Sequence, residues 1–311
     1  MTDIQLFCLS NGTATELSSQ AVKLERDLQT LIESNMATCL GVRFLASEYK
    51  TGKTHRGRID SLGLDENGCP VIIEYKRHSN ENVINQGLFY LDWLLDHQAE
   101  FRWLVMETLG KDAADQIEWT GTRLLCIAAD FTRYDEYAVQ QIPRNIELLR
   151  YKLFGDDLLL LELVNSQSVP DATAVKVVTS DVVTATLQPR ATNGKDKSVT
   201  DWLDMGSEDF RALYDQTVSY LNSLGDDVQE KRLKLYTAFR RLKNFACIVV
   251  QANRLLVTLA IDPATVTLEE GFSRDMRNVG HWGTGDLELA IRTLEDLERA
   301  KPLLERSYRE S

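Results

Sequence analysis

Two short apolar runs, 57–65 and 70–77, flank Glu66-Asn67-Gly68, and a strand–turn–strand of this kind constrains everything that packs around it. Alternate side chains of a strand share a face, so Ile72, Glu74 and Lys76 project one way and Val71, Ile73 and Tyr75 the other. A carboxylate and an ammonium thus end an otherwise apolar strand side by side, which is costly unless they pair, hold a metal or face a cleft. A three-residue loop with Gly68 in the left-handed conformation puts Asp65 opposite Cys69 and Asp60 opposite Glu74. A loop one residue longer or shorter turns Asp60 to the other face unless a bulge compensates. In the first register the two carboxylates converge, an arrangement of hard oxygen donors that suits Mg²⁺ or Mn²⁺.

The surrounding sequence supplies candidate neighbours. A helix over 20–34 presents Leu24, Leu28, Leu31 and Ile32 as its buried stripe, with Glu25 on the edge of that stripe. In a helix over 81–97, Gln86 and Tyr90 are four apart and stack on one face, within reach of the end of the hairpin. Lys50, Lys53, Arg56 and Arg58 put four basic groups just ahead of Asp60, with His55 among them, and together with Tyr90 they are candidate contacts to the phosphates of nucleic acid. The element order continues with a strand over 43–49 before the hairpin, then helical sequence to 118, a strand over 123–129, a helix over 136–145 and strands over 147–153 and 157–164. This describes an α/β domain with a mixed central sheet flanked by helices.

Glu25, Asp60, Glu74-x-Lys76 and Gln86-x-x-x-Tyr90, in that order on those elements, resemble the PD-(D/E)XK nuclease superfamily, and within it the RecB-like and NucS-like (mismatch endonuclease) branch. The resemblance covers about residues 20–165 and implies a restriction-endonuclease-like αβββαβ core. Ile59 stands where the superfamily's name has Pro, a substitution usual in this branch. By this resemblance Asp60, Glu74 and the Tyr75 carbonyl hold Mg²⁺ or Mn²⁺ against a scissile phosphate, and Lys76 orients or deprotonates the attacking water or stabilises charge on the phosphate. Glu25 positions a second ion or its water shell, and Gln86 orients the lysine, the water or the nucleic-acid backbone. The implied activity is phosphodiester hydrolysis, on DNA before RNA, in repair or defence, by an enzyme that acts as a homodimer. The alternative is a protein that keeps the nuclease fold and binds nucleic acid or another partner without catalysis.

Residues 166–200, rich in Ser, Thr, Val and Ala with Pro170 and Pro189, read as a connection between a domain at 1–165 and a smaller α+β accessory domain at 201–311. The second part carries a helix over 208–224, a basic helix over 230–243 (Lys231, Arg232, Lys234, Arg240, Arg241 and Lys243), and a hairpin over 245–261. A Gly-rich loop presenting Trp282 then leads to a final helix over 286–306. The basic helix and Trp282 are candidate nucleic-acid contacts. This part resembles a domain of unknown function often attached to such nucleases.

Over 311 residues, 47 acidic against 35 basic side chains give a net charge of −12, which excludes a chain that coats nucleic acid by bulk charge but not one with local basic patches. No apolar run approaches the roughly 20 residues that cross a bilayer, and the start of the chain does not read as a secretory signal. Five scattered cysteines without C-x-x-C spacing predict a reduced cytoplasmic protein with neither disulfides nor a cysteine zinc site. His55, His78, His97 and His281 show no zinc-ligand spacing. Neither a G-x-S-x-G nor a complete phosphate-binding loop occurs, Thr51-Gly52-Lys53-Thr54 lacking the upstream glycine of the latter.

Overall fold

The computed structural model describes residues 4–22, 24–52, 56–76, 82–155, 157–167 and 197–311. The chain forms two compact units, Met1–Ala172 and Thr173–Ser311.

The first unit begins with a small separate hairpin, β1 (Leu6–Ser10) and β2 (Thr13–Leu17), that sequence patterning misses because almost all of it is exposed. A short strand β3 (Ser19–Gln20) precedes helices α1 (Glu25–Ser34) and α2 (Met36–Leu40). Strands β4 (Val42–Lys50), β5 (Arg58–Asp65) and β6 (Pro70–Lys76) follow, then helices α3 (Asn82–Asp96), α4 (Gln98–Leu109) and α5 (Lys111–Asp115). Strand β7 (Arg123–Ala128), helix α6 (Arg133–Gln140) and strands β8 (Asn145–Phe154) and β9 (Leu158–Gln167) complete it.

These strands make one mixed sheet in which β4, β5 and β6 are antiparallel, β6, β7 and β8 are parallel, and β9 and β3 both pair with β8 antiparallel. The parallel strands sit in the middle, where both faces are covered, and their side chains are buried nearly throughout. Helix α3 packs Val83, Ile84, Leu91 and Leu94 against Leu62, Leu64 and Ile72 of the hairpin. Helix α1 covers the other side chains of the hairpin, where its Glu33 meets Ser61. The order α1, β4, β5, β6, α3, β7 is the αβββαβ order expected from the sequence.

Three local readings change. Helix α1 starts at Glu25 rather than near 20, and Leu24, read as part of the buried stripe, is its N-cap residue and 62% exposed, because Leu28, Gln29 and Ile32 form the buried face. Helix α6 starts earlier than expected, at Arg133, where Thr132 and Asp135 cap each other reciprocally. Strand β9 runs on to Gln167.

In the second unit, helices α7 (Val199–Met205) and α8 (Glu208–Asn222) precede an antiparallel six-stranded sheet. Its strands are β10 (Gln229–Arg232), β11 (Thr237–Arg240), β12 (Asn244–Gln251), β13 (Arg254–Leu259), β14 (Ser273–Asp275) and β15 (Leu287–Ile291), in spatial order β10-β11-β12-β13-β15-β14. A last helix, α9 (Leu294–Glu310), closes the chain. The basic helix expected over 230–243 is instead the hairpin β10–β11. Leu233 with Tyr236 and Leu235 with Phe239 fall at helical spacings, but Thr237, Ala238 and Phe239 are fully or almost fully buried in the sheet, and a charged edge strand carries little apolar signal of its own. The first residues of the expected final helix form β15, since Thr293 and Asp296 cap the helix only from Leu294. The expected connection over 166–200 lies largely outside the described residues, and its last two residues open α7, with Val199 buried in the second core.

Candidate active site

The turn between β5 and β6 sets the site. Asp65 Oδ1 accepts the N–H groups of Asn67 and Cys69, both at 2.9 Å, and the Asp65 N–H bonds the Cys69 carbonyl at 2.9 Å. Gly68 sits at φ +76°, and a Cβ there would come within 2.8 Å of the Gln116 carbonyl, so both conformation and space call for glycine. Beneath the turn, Arg123 Nη1 donates to Glu147 at 2.8 Å and its Nε lies 3.5 Å from Asp65 Oδ2, all three side chains being almost fully buried. Breaking this network by Arg123→Ala leaves two buried carboxylates without their cation. It is expected to lower unfolding free energy by about 3–5 kcal/mol in chemical denaturation. A change within experimental error would show that the turn holds its register without Arg123.

The resulting register pairs Ser61 with Ile73, Leu62 with Ile72 and Leu64 with Pro70, which sets Asp60 opposite Glu74. Beyond Ser61 and Ile73 the carboxylates take over from the backbone ladder. The Asp60 N–H donates to Glu74 Oε1 at 3.2 Å and the Tyr75 N–H to Asp60 Oδ2 at 3.1 Å. Each acid thus caps the opposite strand, and the two share the end of the hairpin.

Glu74 is fully buried, and its Oε2 has no hydrogen-bond partner. Burial first, and then the charge of Asp60, push its carboxyl up to about 9. Burial also raises Asp60, against the opposing pull of the Tyr75 N–H and Lys76. Lys76 Nζ reaches Glu25 Oε1 at 3.1 Å, so Glu25 enters the site as the partner of the lysine. Among the described residues no three His, Cys, Asp or Glu side chains converge as a cation cage, and Glu25 does not join Asp60 and Glu74 as a third oxygen donor.

A fully buried acid with an unsatisfied oxygen beside a half-buried one nevertheless fits a hard divalent cation, which would supply the missing partner and relieve the repulsion between them. Asp60 and Glu74 are the oxygen donors that would meet it.

Several contacts here were not foreseen from the sequence. Gln29, one turn after Glu25 on α1, places its Nε2 2.9 Å from the Asp60 carbonyl, 3.1 Å from Ser47 Oγ and 3.0 Å from Glu33 Oε1, tying helix to strand at the site. Ser61 Oγ bridges Glu33 Oε1 at 2.6 Å and the Tyr75 hydroxyl at 3.2 Å. Glu48 has φ +53° and lies between the β4–β5 pairs Ser47–Ser61 and Tyr49–Ile59, which places it across from Asp60. A non-glycine residue in that conformation is strained, as is common at functional sites. Its carboxylate adds to the upward pressure on Asp60 and pairs with Arg58. A polar cleft of about 530 Å³ opens beside Asp60, between Glu25, Arg26 and Gln29 on one side and Ser47, Glu48 and Arg58 on the other.

Gln86 and Tyr90 brace the start of β5. Gln86 Nε2 and the Arg58 N–H both donate to the Tyr90 hydroxyl, each at 3.2 Å, and a Cβ on Gly57 would strike the Tyr90 ring at 2.4 Å. Tyr90 is 6% exposed, so the phosphate contact expected of it has no free surface. Lys50, Arg56 and Arg58 are exposed at the mouth of the hairpin, whereas Lys53 lies outside the described residues.

In the second unit, Arg240 is buried against Gln229, and Arg241 pairs with Asp227 at 2.6 Å and lies 4.8 Å from the Tyr308 ring centroid. Arg232 Nη2 donates to the Tyr214 hydroxyl at 3.2 Å. Arg240 and Arg241 are thus engaged within the unit, whereas Arg232 and Lys234 are exposed and Lys231 is partly exposed on the β10–β11 hairpin.

Residues 175–311 match a family described as a domain of unknown function, DUF5655. An uncharacterized protein of Haemophilus influenzae is 28% identical over 313 residues, covering 99% of this chain and all of that protein. Two solved structures, an EndoMS–dsDNA2 complex and a repair endonuclease from Pyrococcus abyssi, match 42% of this chain at 19% identity with a TM-score of 0.28. The chain spans about half the length of either, 47% and 48%.

Proposed function

We propose that this chain is a divalent-metal-dependent nuclease that hydrolyses phosphodiester bonds, on DNA before RNA, with its centre at Asp60, Glu74 and Lys76. The observation that carries this reading is the Asp60–Glu74 pair, with Glu74 fully buried and its Oε2 left without a partner. An unsatisfied buried carboxylate destabilises a fold, and its presence beside a second acid, a lysine and a polar cleft marks a site that is kept for chemistry.

A divalent ion bound there supplies Lewis acidity to the phosphate and lowers the pKa of a bound water. The chain's own residues do the rest. Lys76, held by Glu25, offers a cation at the mouth of the pair, where charge on the phosphate would be stabilised or a water oriented. Gln29 fixes the Asp60 main chain, and Tyr90 with Gln86 fixes the strand that carries it. Lys50, Arg56 and Arg58 give the strand mouth the positive charge that an acidic chain needs to accept a polyanion.

The test is a panel of labelled single-stranded, duplex, mismatched and branched DNA, with RNA counterparts, incubated with Mg²⁺ or Mn²⁺. Cleavage of at least one form is expected, and a panel left intact with either metal would overturn the reading. The absence of a third convergent acid among the described residues favours a second reading, in which the fold binds nucleic acid without cutting it. In that case binding is indifferent to Glu74→Gln and no metal dependence is found.

A further inference from the structure

We propose that the second unit binds single-stranded nucleic acid in a cleft between α7, the β12–β13 turn and the loop that carries Trp282, with an unpaired base against Trp282 and neighbouring phosphates at Lys197 and Arg254. All residues of this cleft belong to the second unit, and the proposal stands without the carboxylate site.

The cleft has a volume of about 380 Å³, within the range of small-ligand sites. Both Trp202 and Trp282 line it, and among the described ring contacts none joins the two indoles. Its charged side chains are Lys197 and Arg254, with no Asp or Glu among its lining residues, although the chain as a whole carries −12. Lys197 Nζ stands 4.7 Å from the Trp202 ring centroid, and Arg254 Nε is held by Gln251 Oε1 at 2.8 Å. A site with cations, aromatic faces and no acid complements a planar base joined to a phosphate.

The loop that brings Trp282 here is pinned. Gly283 and Gly285 have φ of +82° and +121°, and a Cβ on them would lie 2.6 Å from the Cys247 Cβ and 2.7 Å from the Leu259 backbone. Between them, the Thr284 carbonyl accepts from Thr258 Oγ1 at 2.9 Å and its Oγ1 accepts from Asn244 at 3.1 Å. Trp282 is nonetheless 42% exposed. An anchored loop thus presents part of the indole to solvent, and a stacking platform needs both exposure and rigidity.

The experiment uses the full-length chain in EDTA, so that no substrate is cut, with a labelled 12-nucleotide oligo-dT followed by anisotropy. Trp282→Ala is expected to weaken Kd by about 5- to 150-fold, the range that loss of one base stack gives, and Trp282→Phe to restore part of it. Lys197→Glu, a change at an exposed side chain, should also weaken binding and flatten its salt dependence. Blunt duplex of the same length should show no dependence on Trp282, and dTMP should bind far more weakly than the oligomer. Undetectable binding by the wild type, an unchanged Kd in Trp282→Ala, equal dependence for duplex, or dTMP matching the oligomer would each overturn the proposal. A chain that binds in this way but cuts nothing with Mn²⁺ would overturn the nuclease reading alone.

Discussion

Asp60→Asn and Lys76→Ala are each expected to lower metal-dependent cleavage by about a thousandfold while leaving the fold intact, as followed by single-turnover cleavage and by circular dichroism. Asp60→Asn keeps the size of the side chain and an oxygen to accept the Tyr75 N–H now bound at 3.1 Å, but halves the anionic donor set at the hairpin end. Loss of one group that acts on developing charge costs about two to three orders of magnitude in rate, and loss of a ligand costs at least as much. Lys76→Ala removes the ammonium and leaves Glu25, part-exposed at the rim, to water, so its effect on folding is small. Retention of wild-type rates in either variant would move the chemistry away from this hairpin.

The second large effect is a pH dependence that metal reverses. Glu74 has a carboxyl raised to about 9 in the folded chain against 4.5 for an ordinary glutamate, so the folded state holds a proton that the unfolded state releases. Its contribution to stability is fully present below about pH 4.5 and is lost as pH rises toward 9, at a slope of up to about 1.4 kcal/mol per pH unit for one proton. Asp60, shifted the same way by burial, adds in the same direction. Thermal unfolding of the metal-free chain should therefore shift to lower temperature between pH 5 and pH 9, and Glu74→Gln should flatten that decline. Mn²⁺ binds the deprotonated pair, so it should restore the midpoint above pH 7 and release about one proton per ion near pH 7, read by calorimetry in buffers of different ionisation enthalpy. A midpoint indifferent to pH and to Mn²⁺ would show that the pair neither stores a proton nor takes an ion.

Much of the first unit could be read from the sequence because its signals are local. Gly68 and Asp65 specify the turn, the turn specifies the register, and the register alone sets Asp60 against Glu74. Glu48 and Gln29 were hidden because their placement depends on tertiary pairing. The β4–β5 register includes an irregularity between Phe44 and Ala46 and follows a connection with no hairpin signature, so Glu48 cannot be aligned with Asp60 by counting. Gln29 reads as one polar residue on an amphipathic helix until the helix is laid against the strand whose main chain it holds. Tyr90 shares a helix face with Gln86 as its spacing requires, and its burial follows from the packing of that helix on the sheet. In the second unit, residues 230–243 read as a helix because their charge masks strand alternation and their few apolar residues fall at helical intervals.

The most direct test of the account compares wild-type chain and Glu74→Gln on one cleavable nucleic acid, with Mn²⁺ and with EDTA. Glutamine has the shape of the neutral acid that the metal-free fold already accommodates, so this variant isolates the loss of the anionic donor from any loss of structure. Cleavage by the wild type is expected with Mn²⁺, none in EDTA, and none by Glu74→Gln, whose melting temperature near neutral pH should be no lower than that of the metal-free wild type. Equal cleavage by both chains, or cleavage that persists in EDTA, would contradict the account.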